Sequence, residues 1–245
     1  MAGCELTHLV REPIDVARLH AQHSRYVELL RELGYEIHML DAALDLPDGV
    51  FVEDPAIVLD ELAVITRPGA LSRRGESCSI AEALRPWRSL EYIQEPGTLD
   101  GGDVLLLDRT LYVGLSSRSN RAGIDQLAEL LAPHGYDVRG VEVRGCLHLK
   151  SAACAIGKDT ILLQPDWVDP DQFDAPQCIT TDPEESGAAN VLWLGQDVIY
   201  PEAFPRTAAK LEQLGLRVHA LAYDEVTKAE GALTCCSLLF RSNQP

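Results

Sequence analysis

The chain has no run near the roughly 18 consecutive apolar residues of a membrane helix. Its start, MAGCELTHLVREP, has no apolar core behind a basic head. We expect neither a membrane span nor a secretory signal, and hence a cytoplasmic protein. No CxxC pair occurs among the seven cysteines, Cys4, Cys78, Cys146, Cys154, Cys178, Cys235 and Cys236. An odd count without that spacing argues against a disulfide framework or structural zinc. Adjacent Cys235 and Cys236 are poorly placed to bridge each other. Basic residues are scarce: 21 Lys and Arg stand against 38 Asp and Glu, a formal charge of −17. This balance disfavours nucleic acid or an anionic membrane as partner and suits a small cation better. GxGxxG, P-loop, HExxH and GxSxG motifs are absent. Nothing therefore points to a nucleotide, a flavin or a catalytic metal, and no cofactor is expected.

What remains is globular. The 245 residues are 46% hydrophobic and 24% charged, enough for a sizeable core. No linker or low-complexity segment divides them, so residues 1–245 read as one domain. The Pro-rich stretch 165–183 reads as a long loop inside it.

Two patterns recur. RELGYEIHMLD, APHGYDVRGVE and EQLGLRVHALA each place a Gly (Gly34, Gly135, Gly215) between a helical stretch and an alternating apolar run. The helical periodicity covers 16–33, 121–132 and 206–214, so each copy reads as helix, glycine C-cap and strand. The second pattern is an apolar strand, a polar turn and another apolar strand. Four copies turn near Asp60, at Asp108-Arg109, at Gly157-Lys158-Asp159 and at Gly195-Gln196. A fifth, GALTCCSLLFR, supplies one strand, and the N-terminal LTHLVREP is the expected partner. Two α/β architectures fit: an ordinary open sheet, or a closed five-bladed propeller of ββαβ-like repeats. In the second, the first strand pairs with the last and removes the open edge.

Polar or small residues stand where each hairpin begins: Glu53-Asp54, Asp100-Gly101-Gly102-Asp103, His148-Leu149-Lys150-Ser151, Asn190 and Cys235-Cys236. Around a common axis these positions converge. Each residue alone has an ordinary explanation. A lone Cys is usually a buried thiol, His148 has apolar neighbours, and TLDGGD reads as a turn. Together they offer a thiol nucleophile, an imidazole to handle protons and a carboxylate to orient it. Glu53 and Asp54 in an apolar strand need a cation, either a bound guanidinium or an internal partner such as Arg67. Arg73 and Arg118 have the forked geometry to grip a carboxylate, whereas Arg74 reads as solvent-exposed.

The motifs DGVFVEDP, ITRPGALSRRGE, TLDGGDVL, YVGLSSRSN, LHLKSA and EGALTCCS occur in this order from about residue 14 to 240. Jointly they resemble the dimethylarginine dimethylaminohydrolases of the amidinotransferase superfamily. The resemblance implies the five-bladed α/β propeller and cofactor-free hydrolysis of Nω-methylated arginine to citrulline and an alkylamine. It also implies the roles. Cys235 is the nucleophile, His148 the acid and base, and Asp100 its orienting carboxylate. Glu53 and Asp54 line the guanidinium pocket, and Arg73 and Arg118 bind the α-carboxylate. Asp48 and the backbone of Ala229 contact the amino-acid end. Cys236 is structural. An arginine deiminase-like hydrolase and a silent guanidine-binding protein on the same fold are the alternatives. The family's lid loop between first strand and first helix reads as missing or shortened, since HLVREP runs straight into IDVARLHAQHSRYV. The resemblance leaves room for a homodimer, although no stretch reads as an interface.

Overall fold

The computed structural model describes residues 3–43 and 45–242. All four complete hairpins form where the turn residues place them. β1 (Ala56–Val58) pairs antiparallel with β2 (Leu62–Ile65), and β4 (Val104–Leu107) with β5 (Thr110–Leu115). β7 (Ala153–Ala155) pairs with β8 (Thr160–Leu163), and β10 (Leu192–Leu194) with β11 (Asp197–Pro201), in the same sense. Each second strand gains a parallel neighbour: β3 (Ser89–Tyr92), β6 (Asp137–Glu142), β9 (Gln177–Thr180) and β12 (Arg217–Leu221). The result is an α/β fold of four separate three-stranded sheets. The second strands are mostly buried and the third strands mostly exposed or half-buried. Each sheet therefore has an inner and an outer edge.

A parallel neighbour needs a crossover. Three sheets use a helix for it: α2 (Glu76–Leu84), α3 (Arg121–Leu131) and α5 (Pro205–Gln213). The third uses the Pro-rich stretch with a single 3-10 turn, Pro170–Gln172. The expectation of a structureless loop over 165–183 is thus corrected: its end forms β9, because β8 offers a free edge there. Local signals fix the helices. Asp15 caps α1 (Val16–Glu32) by accepting from Arg18 N at 3.1 Å, and Asn120 caps α3 from Gly123 N at 2.8 Å. Such caps contribute about 1 kcal/mol each. Gly34, Gly135 and Gly215 all take the left-handed conformation that stops a helix cheaply.

The two chain ends depart from expectation. Neither LTHLVREP nor GALTCCSLLFR forms a strand, and residues 36–40 after α1 are likewise unpaired among the described residues. Residues 5–9 instead spend their N–H groups on acids. Glu5 N donates to Asp48 at 3.0 Å, Thr7 N and His8 N donate to the Glu230 carboxylate at 2.8 and 2.5 Å, and Leu9 N joins them. A backbone held by carboxylates cannot serve a sheet. Apolar packing nevertheless links this region to both neighbours. Tyr26, Leu29 and Leu30 of α1 pack in one cluster with Leu192, Ile199 and Leu221 of the fourth sheet. Leu238 and Phe240 pack against Ala56, Ile65 and Leu84 beside the first. No described helix is long and apolar enough to cross a membrane.

Candidate active site

Glu53, Asp54, Asp100 and His148 lie in the short connections that precede inner strands. Glu53 and Asp54 come just before β1, Asp100 to Asp103 before β4, and His148 before the single turn α4 (Leu149–Ala152) that leads into β7. Asn190 precedes β10, and Cys235 lies in a 3-10 turn, Thr234–Cys236. Chain reversal at that end lets the four inner strands aim these connections at one place.

They meet in a pocket lined by Asp48, Phe51, Asp54, Arg73, Arg118, His148, Ala229 and Cys235, among others. Glu5, Glu230 and Gly231 also line it. Glu230 also holds the N–H groups of residues 7–9, so residues 5–9 lie beside the pocket as a short strap, where a missing or shortened lid was expected. The enclosed volume is about 10 Å³, room for roughly one water. Gly101 and Gly102 permit the close approach. A Cβ on Gly101 would lie 2.1 Å from Glu53 O, and one on Gly102 would lie 2.6 Å from both Asp54 Oδ1 and His148 Nδ1.

His148 stands between carboxylates. Its Nε2 is 3.1 Å from Asp100 Oδ2 and its Nδ1 is 3.8 Å from Asp54 Oδ1. Burial alone favours the neutral ring. The charges of Asp54, Asp103 and Asp100, with the Asp100 hydrogen bond, outweigh it and raise the His148 pKa to about 9. Asp100 is held in turn: its backbone N donates to Ser119 Oγ, whose hydroxyl donates to Asp103, and its Oδ1 accepts from Gly69 N. Cys235 is the opposite case. Burial, then the charges of Glu53 and Asp54, push its thiol well above the ordinary range. By itself the site thus holds a thiol and an imidazolium, and a cation placed between the acids reverses the balance at sulfur.

One expected partnership differs. Arg67 reaches Glu95 and Gly97 O, not the pocket acids. Those acids have other cations. Asp54 Oδ2 pairs with Arg73 Nη1 at 2.5 Å and Oδ1 accepts from Gly102 N. Glu53 Oε1 pairs with Lys150 Nζ at 2.5 Å. Burial opposes ionisation at Asp54, but His148 and Arg73 hold its pKa at about 2. Arg73 spends the rest of its fork on Glu76 and on Phe51 O. Its guanidinium thus pairs with protein acids and also lines the pocket. Arg118 is different: Nη2 donates to Thr7 Oγ1, while the buried Nη1 makes no hydrogen bond and lies 3.8 Å from Asp100. Arg74 donates to Pro68 O and is half-buried.

Sequence reasoning placed Asp103 and Lys150 at hairpin starts without a role and did not name Glu76 or Glu230. The signals were faint. Lys150 lies inside the LHLKSA motif, and Glu76 is one helical turn beyond Arg73. Asp103 follows a glycine pair into an apolar run, where burial pushes its pKa up to about 6. Asp54, Asp100 and His148 bring one potential ligand atom each within 4.8 Å of one another. Within the structure their partners are Arg73, Gly102 and each other.

The family model for N,N dimethylarginine dimethylhydrolase, eukaryotic, matches residues 10–177. A Streptomyces coelicolor N(G),N(G)-dimethylarginine dimethylaminohydrolase is 42% identical over 96% of this chain and 91% of its own length. This chain belongs to the dimethylarginine dimethylaminohydrolase family. Among solved structures, the Pseudomonas aeruginosa member of the family, a Cys-to-Ser variant complexed with citrulline, superposes with a TM-score of 0.91. It is 35% identical, with 96% of this chain and 93% of that chain covered. A His-to-Gly family variant bearing an adduct with S-methyl-L-thiocitrulline gives 0.90 at 34% identity, covering 97% and 94%.

Proposed function

We propose that the chain hydrolyses Nω-methylated L-arginine to citrulline and an alkylamine. The observation that carries this reading is the meeting of Cys235, the His148–Asp100 pair, Asp54 and the Arg118 Nη1 that makes no hydrogen bond in one pocket. The family relatives act on this substrate by name, and one binds the product.

The chemistry follows from the charges. A guanidinium seated beside Asp54 and Glu53 offsets the negative field that keeps Cys235 protonated. The thiol proton passes to solvent, and the thiolate attacks the central guanidinium carbon, whose C=N pair moves onto nitrogen as the S–C bond forms. His148, an imidazolium up to about pH 9, gives its proton to the departing amine as that C–N bond breaks. The product is a covalent S-alkylthiouronium. The now neutral His148 takes a proton from water, whose oxygen attacks the same carbon. The S–C bond breaks, the protonated ureido product loses its extra proton and leaves as citrulline, and the released thiolate takes up a proton to restore the thiol. Asp100 keeps Nε2 occupied, so Nδ1 does the exchange. Arg118 Nη1 receives the α-carboxylate, with Arg73 beside it and Asp48 and the Ala229 backbone at the amino-acid end. No step calls for a metal or cofactor. Because the pocket encloses only about 10 Å³, the strap lifts for substrate to reach it.

The same reading extends to the fold and the compartment. α1, residues 36–40 and residues 237–241 make the fifth unit of a closed five-bladed ring. In support, their apolar side chains are shared with the fourth sheet on one side and the first on the other. Seven unpaired thiols support the cytoplasm.

A citrulline-release assay with asymmetric dimethylarginine, monomethylarginine and arginine side by side tests the activity. Turnover of the methylated substrates that vanishes in Cys235→Ala is expected. Turnover of arginine alone would replace the reading with a deiminase, and no turnover would leave a binding protein. A second check uses the tight glycine. Gly102→Ala drives a methyl into His148 and Asp54, so kcat/KM falls about 10²-fold. Gly157→Ala, whose nearest contact is an ordinary 3.5 Å to Thr160, changes little.

A further inference from the structure

The reaction as written leaves one cation of the site without a task. Lys150 Nζ lies 2.5 Å from Glu53 Oε1. The other oxygen, Oε2, accepts from Thr234 Oγ1 at 2.9 Å. Thr234 Oγ1 in turn accepts from Asn190 Nδ2 at 3.1 Å, and Asn190 Nδ2 also donates to the Lys150 carbonyl at 3.0 Å. Thr234 N donates back to Asn190 Oδ1 at 3.3 Å, and Glu53 N donates to Cys235 O at 3.1 Å. The loop therefore closes on itself. It draws Glu53, Lys150 and Asn190 from three sheets and ties them to the turn that carries Cys235.

We propose that Lys150 is a positioning residue: through Glu53 and Thr234 it fixes the turn that presents Cys235, and its ammonium offsets the Glu53 charge beside the sulfur. The proposal deepens the hydrolase reading and rests on it for its place in the reaction. Two physical arguments support it. A buried carboxylate without a partner is costly, and one with a contacting ammonium is tolerated. A carboxylate near a thiol disfavours the thiolate, and a cation paired to that carboxylate cancels much of the effect. The titratable groups facing Glu53 are Lys150, Asp54, Cys154, Cys235, Cys236 and Tyr26. Tyr223 also faces Cys235, and His148 lines the same pocket. Among the groups facing Glu53, Lys150 is the cation.

The contact with the Lys150 ammonium favours the Glu53 carboxylate against its burial. In the wild type Cys235 then faces a neutralised pair. In Lys150→Gln it faces a bare carboxylate, and in Glu53→Gln a bare ammonium. The test is the pH dependence of Cys235 alkylation by iodoacetamide in the whole protein without substrate, with Cys235→Ala as blank. Lys150→Gln should move the profile up by about one pH unit and Glu53→Gln should move it down by a similar amount. Lys150→Arg should restore the wild-type profile. The opposite sign in Glu53→Gln keeps the test decisive if Lys150→Gln does not fold. Unmoved profiles, or an Arg variant as displaced as the Gln variant, would overturn the proposal. Turnover is read separately. Lys150→Gln should lower kcat about 10²-fold with KM little changed, and Lys150→Arg should recover it. Shifted profiles in a protein that turns over none of the three guanidines would sink the hydrolase reading and leave the Lys150 assignment standing.

Discussion

Cys235→Ser should lower citrulline formation by about 10⁴-fold or more, whereas Cys236→Ser should keep most of the activity. The two residues are adjacent and equally buried, so burial does not separate them. Direction does. Cys235 lines the pocket with His148 and Asp54, and Cys236 does not. The Cys236 thiol, pushed up to about 12 by burial, lies against Tyr223 in the apolar cluster that joins α1 to the fourth sheet. A hydroxyl in place of Sγ at 235 has no means of becoming an anion here. Its pKa is far higher, and the same two acids oppose ionisation. The measurement is steady-state release of citrulline by each variant, with circular dichroism to confirm folding. Trapping of a covalent adduct by the wild type and Cys236→Ser, but not Cys235→Ser, would be seen in the intact-protein mass. Equal loss in the two variants would remove Cys235 from its assigned role.

The second large effect concerns pH. Attack needs the thiolate, and amine departure needs the imidazolium. In the free enzyme Cys235 stays protonated well above the usual thiol range, while His148 loses its proton near pH 9. The reactive pair is therefore a minority form. Its fraction grows with pH until the lower of the two ionisations, that of His148, and levels off beyond it. We expect kcat/KM to rise about tenfold per pH unit from neutrality to about pH 9. His148→Gly should cost about 10²–10⁴-fold and remove the break near pH 9, leaving a rise that continues with thiolate formation. Asp100→Asn removes one of the groups that raise the His148 pKa, so the break should move to lower pH as the rate falls. A kcat/KM that is flat from pH 6 to 9 would contradict this ordering of the two groups.

Where the sequence was legible, the cause was local. Asp15 and Asn120 cap the helices they precede, and Gly34, Gly135 and Gly215 end theirs. The four turns sit within a residue or two of their expected places, because a hairpin is decided by the few residues at its tip. The position of polar residues at the start of each inner strand was equally plain, and of these Asp54 and His148 line the pocket, with Cys235 beside them.

Other features depended on partners distant in the chain. GYEIHML has the same helix–glycine–strand pattern as the two copies that became β6 and β12, yet it stays unpaired among the described residues. An extended segment becomes a strand only if an edge meets it, and alternation cannot report that edge. LTHLVREP became a strap because Glu230, 223 residues beyond Thr7, takes its N–H groups, while Asp48, 43 residues beyond Glu5, holds the residue before it. Ion pairing was also non-local. Arg67 looked like a plausible partner for the pocket acids, but Asp54 found Arg73, 19 residues on, and Glu53 found Lys150, 97 residues on. By itself the sequence determined the hairpins, the helices with their caps, and which residue types stand ready for chemistry. Only the tertiary structure decided which cation holds which acid, which N–H groups are left for the strap, and which way each ring nitrogen and sulfur points. A buried charge chooses among all the partners that packing brings within reach, and that choice has no local signature in the chain.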